Sequence, residues 1–86
     1  MFEIAFEDLA LKKLRKLDRH TAEKIISYFD SEELLKNPKK FGLPLRNEKK
    51  GNWRYRIGDY RVICKIKDKE LIILFLDVGH RKEIYG

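Results

Sequence analysis

Trp53-Arg54-Tyr55-Arg56-Ile57-Gly58-Asp59-Tyr60-Arg61-Val62-Ile63 reads as a β-hairpin. Gly58-Asp59 is flanked by two runs rich in aromatic and β-branched residues, and a Gly-X pair is the usual sequence of a two-residue II′ turn. That turn sets Ile57 opposite Tyr60 and Arg56 opposite Arg61. Two arginines then stand side by side on one face of a sheet, an arrangement that destabilises the pairing. A fold that tolerates it has an anion to put there.

Downstream of this hairpin, Tyr60 opens a strand that runs to Lys67, and a third strand covers about 71–78. With Asp68-Lys69 as the turn between them, Lys67 pairs with Glu70 and the faces follow. Tyr60, Val62, Cys64 and Ile66 lie with Leu71, Ile73 and Phe75 on the side that packs against helices. Arg61, Ile63 and Lys65 share the other side with Ile72, Leu74, Leu76 and Val78. The last strand is apolar on both faces, as suits a central strand.

Upstream, Phe2-Glu3-Ile4-Ala5-Phe6 alternates and reads as an opening strand. Glu7 and Asp8 suit a helix N-terminus, and Leu9, Ala10, Leu11, Leu14 and Leu17 supply the apolar side of that helix. Asp18 is the expected cap of a second helix. Its core side is Ala22, Ile25, Ile26 and Phe29, with Leu34 and Leu35 extending it until Asn37-Pro38 ends it. Pro38 to Gly51 reads as a basic loop. The expectation is a single α+β domain over residues 1–86, with two N-terminal helices packed on one face of a small, twisted, mainly antiparallel sheet. No segment is left to cover the second face, and a surface that mixes apolar and cationic groups implies a partner.

The net charge of +6 is concentrated. Lys36, Lys39, Lys40, Arg46, Lys49, Lys50, Arg54 and Arg56 face Glu48 alone, a local charge of +7 that leaves about −1 for the rest. Trp53 and Tyr55 interleave with this run, which suits a polyanion with stackable bases. Arg46, Lys49, Lys50, Arg54 and Arg56 are therefore candidate RNA-binding residues. Leu71 to Leu76 is far too short to span a bilayer. With no leader pattern at the N-terminus, the reading is cytoplasmic, with no membrane partner. Cys64 is the only cysteine and the two histidines are distant from each other, so neither a disulfide nor a zinc site is expected, and no cofactor.

The hairpin, together with Val78-Gly79-His80-Arg81-Lys82-Glu83-Ile84-Tyr85, resembles the RelE/ParE superfamily of toxin–antitoxin toxins, most closely the RelE-type ribosome-dependent mRNA endonucleases. The resemblance implies a RelE-like microbial RNase fold and metal-independent cleavage of translated mRNA. In that chemistry the ribose 2′-hydroxyl attacks its adjacent phosphate in the ribosomal A site. It also implies a RelB-like antitoxin that neutralises the toxin in a hetero-oligomer. On this reading Arg61 and Arg81 are the catalytic cations, Tyr85 stacks on or activates the nucleotide, and His80 is a candidate general acid or base. Strict alternation from Val78 puts His80 rather than Arg81 on the face of Arg61, and a bulge at Gly79 would re-aim the pair. Arg54 and Arg56 stand where some RelE-type toxins carry lysines. Arginine is a poor base, so proton transfer falls to His80 or Tyr85. The alternatives are a ParE-like inhibitor of DNA gyrase and a non-catalytic RNA- or ribosome-binding translation blocker.

Overall fold

The computed structural model describes residues 1–45 and 51–85, the last two of these by their backbone. Five strands form one mixed sheet in the order β1-β5-β4-β3-β2. They are β1 (Glu3–Phe6), β2 (Leu43–Pro44), β3 (Asn52–Ile57), β4 (Tyr60–Lys67) and β5 (Ile72–His80). β1 runs parallel to β5, and every other pairing is antiparallel. Helices α1 (Asp8–Lys16), α2 (Arg19–Tyr28) and α3 (Glu32–Lys36) follow β1, and α4 (Arg81–Tyr85) follows β5 without a break.

The α+β architecture is as expected, and its core explains why. Ala10 and Leu14 of α1, Ile25 of α2, Phe29 at its C-cap and Leu34 of α3 meet Tyr55, Ile57, Val62, Cys64, Ile73 and Phe75 from one face of the sheet. Phe29 is the hinge of an aromatic cluster, edge-on to Tyr55 at 4.9 Å and to Phe75 at 4.7 Å between ring centres. Such edge-to-face pairs add to the burial itself. Asp18 caps α2, its carboxylate accepting from the Thr21 N–H and hydroxyl.

Several expectations are corrected. Leu9 points outward and is 52% exposed. α2 ends at Tyr28, and Leu34 and Leu35 belong to a separate helix, because Ser31 accepts from the Leu34 N–H and starts a new turn led by Glu32 and Glu33. The segment after Pro38 is not loop throughout: a 3-10 turn covers Pro38–Lys40, and β2 pairs with β3. Tyr55 anchors it, donating its hydroxyl proton to the Pro38 carbonyl at 2.6 Å. The β4–β5 connection uses four residues, so Lys67 pairs with Ile72, and Leu71 closes the turn at φ 56° with its side chain in solvent. A two-residue shift leaves the faces unchanged. A bulge at Leu76 does not: Cys64 pairs with Phe75 but Ile63 pairs with Asp77, so Val78 turns into the core. The uncovered apolar stripe is therefore Ile63, Ile72, Leu74 and Leu76, without Val78.

Candidate functional site

The site is built on the hairpin turn. Gly58 has φ 59° while Asp59 keeps a negative φ, which is the II′ pattern rather than I′. Ile57 pairs with Tyr60 and Arg56 with Arg61, as the Gly-X reading requires. Alternation adds Arg54, opposite Ile63, to the same face. On the far side of β4, Arg61 is paired with Gly79, which contributes no side chain there.

Arg61 is 7% exposed, rare burial for a charged residue. Its Nη1 donates to the carbonyls of Gly58 at 3.1 Å and Tyr60 at 3.0 Å, so the turn clasps the guanidinium that follows it. Burial lowers the Arg61 pKa, and Arg56, Arg54 and Arg81 lower it further, with Asp59 opposing them. Arg54, Arg56, Arg61 and Arg81 thus act on one region of space. It remains cationic, since guanidinium stays protonated in proteins, and its field suits a phosphate able to accept from several guanidinium groups at once.

Arg81 arrives by a different route from the one anticipated. It is the first residue of α4, exposed, and its backbone N–H donates to the Asp59 carbonyl at 2.8 Å. The turn that carries Arg61 and the helix that carries Arg81 are therefore fastened to each other. The bulge sits at Leu76, not Gly79, and it reverses the expected placement of His80. His80 pairs with Tyr60 on the helix-facing side, its ring edge-on to the Tyr60 ring at 5.5 Å. Its Nδ1 accepts from the Lys82 N–H, and its own N–H donates to Glu83. His80 stands beside Arg81 in the chain but not on the face of Arg61.

Arg46, Lys49 and Lys50 and the side chain of Tyr85 lie outside the described residues. Among those described, no cluster of three His, Cys, Asp or Glu residues could ligate a metal ion. Among the same residues, no helix is long and apolar enough to cross a membrane. Reading the sequence took Asp59 only as a turn residue and Gly79 only as a possible bulge, and missed Glu83. The signal for Glu83 was available, because His80-Arg81-Lys82-Glu83 has the spacing of a capping box with histidine in the first position.

The fold thus sets a thin helical layer on one face of a small sheet and an arginine cluster on the other, a cationic surface of the kind that suits phosphate. Residues 4–85 match the family described as ParE toxin of type II toxin-antitoxin system, parDE. Toxin RelG of Mycobacterium tuberculosis is 31% identical over 84 residues, 98% of this chain and 95% of RelG, and toxin RelE of the same organism is 30% identical over 98% of this chain and 86% of its own length. The toxin–antitoxin complex RelBE2 of M. tuberculosis contains a chain of the same fold, with TM-score 0.83 and 29% identity over 93% of this chain and 98% of that one. The isolated Escherichia coli RelE toxin shares the fold at TM-score 0.78 and 24% identity, over 99% of this chain and 92% of that one. The chain belongs to the RelE/ParE superfamily and is a type II toxin–antitoxin toxin of the RelE family.

Proposed function

We propose that this toxin is a ribosome-dependent endoribonuclease that cuts translated mRNA by attack of a ribose 2′-hydroxyl on its own phosphate. The observation that carries the proposal is the convergence of Arg54, Arg56, Arg61 and Arg81 at one end of the open sheet face. Attack of the 2′-oxygen forms a bond to phosphorus while the bond to the 5′-oxygen breaks. The products are a 2′,3′-cyclic phosphate and a 5′-hydroxyl. Charge accumulates on the phosphorane in between, and preorganised guanidinium groups stabilise it where it develops. The Arg61 guanidinium is held by its turn, and the Arg81 backbone by its bond to the Asp59 carbonyl, which brings its side chain to the same region. Tyr85 follows Arg81 by four positions in the sequence, and we assign it contact with the nucleotide. The acid–base complement is sparse, so positioning of the mRNA by the ribosome supplies much of the rate.

The partner we propose is a RelB-like antitoxin, as the solved RelBE2 complex of the M. tuberculosis relative suggests. Ile63, Ile72, Leu74 and Leu76, half-buried beside the arginines, form its seat on this chain. Ribosome-dependent action places the working toxin in the cytoplasm.

The parDE family match keeps a gyrase-directed reading in play, and pulse labelling of cells after toxin induction separates the two. Methionine incorporation is expected to fall first, with thymidine incorporation following later. Early loss of thymidine incorporation and of plasmid supercoiling, with translation intact, would overturn the ribonuclease reading.

A further inference from the structure

His80-Arg81-Lys82-Glu83 closes β5 and opens α4, and its hydrogen bonds are those of a capping box. In such a box the first side chain accepts from an amide in the first turn, while the side chain three residues on reaches back to the first residue's N–H. Here His80 Nδ1 accepts from the Lys82 N–H at 3.2 Å, and Glu83 Oε1 accepts from the His80 N–H at 2.9 Å. The intervening Arg81 N–H goes to the Asp59 carbonyl at 2.8 Å. Three successive amides at the start of α4 therefore each have a separate acceptor. A helix of only five residues does not persist by itself, so these bonds decide where it starts and where its first residue, Arg81, is held.

We propose that His80 is a positioning residue for Arg81, and that it makes the seat of α4 sensitive to pH without exchanging a proton with substrate. An imidazole nitrogen accepts a hydrogen bond only while it carries no proton. Protonation turns Nδ1 from an acceptor into a donor that faces the donor on Lys82, and the cap is lost. The charged and titratable groups nearest the ring are Glu83, Arg81 and Lys82 of α4, Asp59 of the turn to which α4 is bonded, and Tyr60 of β4. From α2 come His20 and Lys24, which line a cleft with Asp59 and Tyr60. The cap is complete with a neutral imidazole and lost when the ring takes a second proton, so the direction of the effect is loss on acidification. Arg81 loses its seat with it.

The kinetic consequence rests on the ribonuclease reading, and the test keeps the two apart. Single-turnover cleavage of mRNA on preassembled ribosome complexes is followed from about pH 5.5 to about pH 8 with wild type, His80→Asn and His80→Ala. Asparagine caps helices well and does not titrate. The expected result is that His80→Asn cleaves within about threefold of wild type at the alkaline end and lacks the acid-side decline. His80→Ala is slower throughout, by about five- to tenfold. A loss of about a hundredfold or more in His80→Asn at every pH is what removal of a general acid or base produces, and it overturns the proposal. Amide NMR supplies a readout independent of RNA. The Lys82 amide is expected to titrate together with the His80 ring in wild type and to stay flat in His80→Asn. A Lys82 amide indifferent to pH in wild type overturns the cap. Failure of the wild type to cut mRNA would count against the ribonuclease reading alone, and the Lys82 amide would then decide the capping by itself.

Discussion

Gly42 shows how closely single residues set the entry to the basic segment. A Cβ built there would lie 2.8 Å and 2.9 Å from carbons of the Tyr55 ring, well inside van der Waals contact. The same ring is buried between Phe29 and the turn at Pro38, which it anchors through its hydroxyl. Burial also pushes the Tyr55 phenol well above its ordinary range, so it stays a donor throughout the working pH. Gly42→Ala is expected to cost about 1–3 kcal/mol through overpacking. Tyr55→Phe is expected to cost about 1–3 kcal/mol by leaving the Pro38 carbonyl without its donor. Urea unfolding midpoints measure both, and unchanged midpoints would show that this contact does not secure the segment. Cys64 illustrates the opposite case. It is fully buried, its thiol is pushed up by desolvation, and it acts as a small apolar side chain within the core.

At the scale of elements, α2 carries a titratable cap whose contribution has a definite sign. The Thr21 hydroxyl, and then the Thr21 N–H, keep the Asp18 carboxyl below the ordinary carboxylate range. A group whose folded pKa is depressed stabilises the protein above its unfolded pKa, and the contribution disappears as pH falls through the folded value. Asp18→Ala is expected to melt a few degrees below wild type at neutral pH, with the gap closing as the solution becomes acidic enough to protonate Asp18. Thermal melts across that range check it, and a gap constant down to the lowest pH would contradict it. The elements also show what could be read from residues alone. The Gly58-Asp59 turn was legible because Gly-X has few other uses between two strands, and it located Arg56 and Arg61 correctly. The Asp68–Leu71 turn was not, because its positive φ falls on a leucine, a residue that rarely adopts that conformation. The bulge at Leu76 was hidden because an apolar run looks the same with or without an extra residue. It alone moved Val78 into the core and His80 away from Arg61. The parallel pairing of β1 with β5 joins segments separated by most of the chain, and no local pattern announces such a pairing.

The whole molecule divides its labour between two faces of one sheet. Among the described residues, the helical side holds the core and every large buried apolar group. The other combines the arginine cluster with the half-buried Ile63, Ile72, Leu74 and Leu76. One surface thus presents cations next to apolar ground, and under the proposed function occupation by an antitoxin and occupation by mRNA exclude each other. The two halves of the cluster depend on different supports, Arg61 on its own turn and Arg81 on the capped start of α4. Their meeting through Asp59 is where the fold becomes a candidate active site. Arg81 is exposed, so its removal leaves the core intact and isolates the chemistry. The most direct test is primer extension on mRNA recovered from a cell-free translation reaction, with wild type and Arg81→Ala compared after circular dichroism has shown both to be folded. New 5′ ends inside translated codons with wild type, reduced by about 10²–10³-fold in Arg81→Ala, are the predicted result. Intact mRNA with wild type, or identical ends and rates in the variant, would contradict the account.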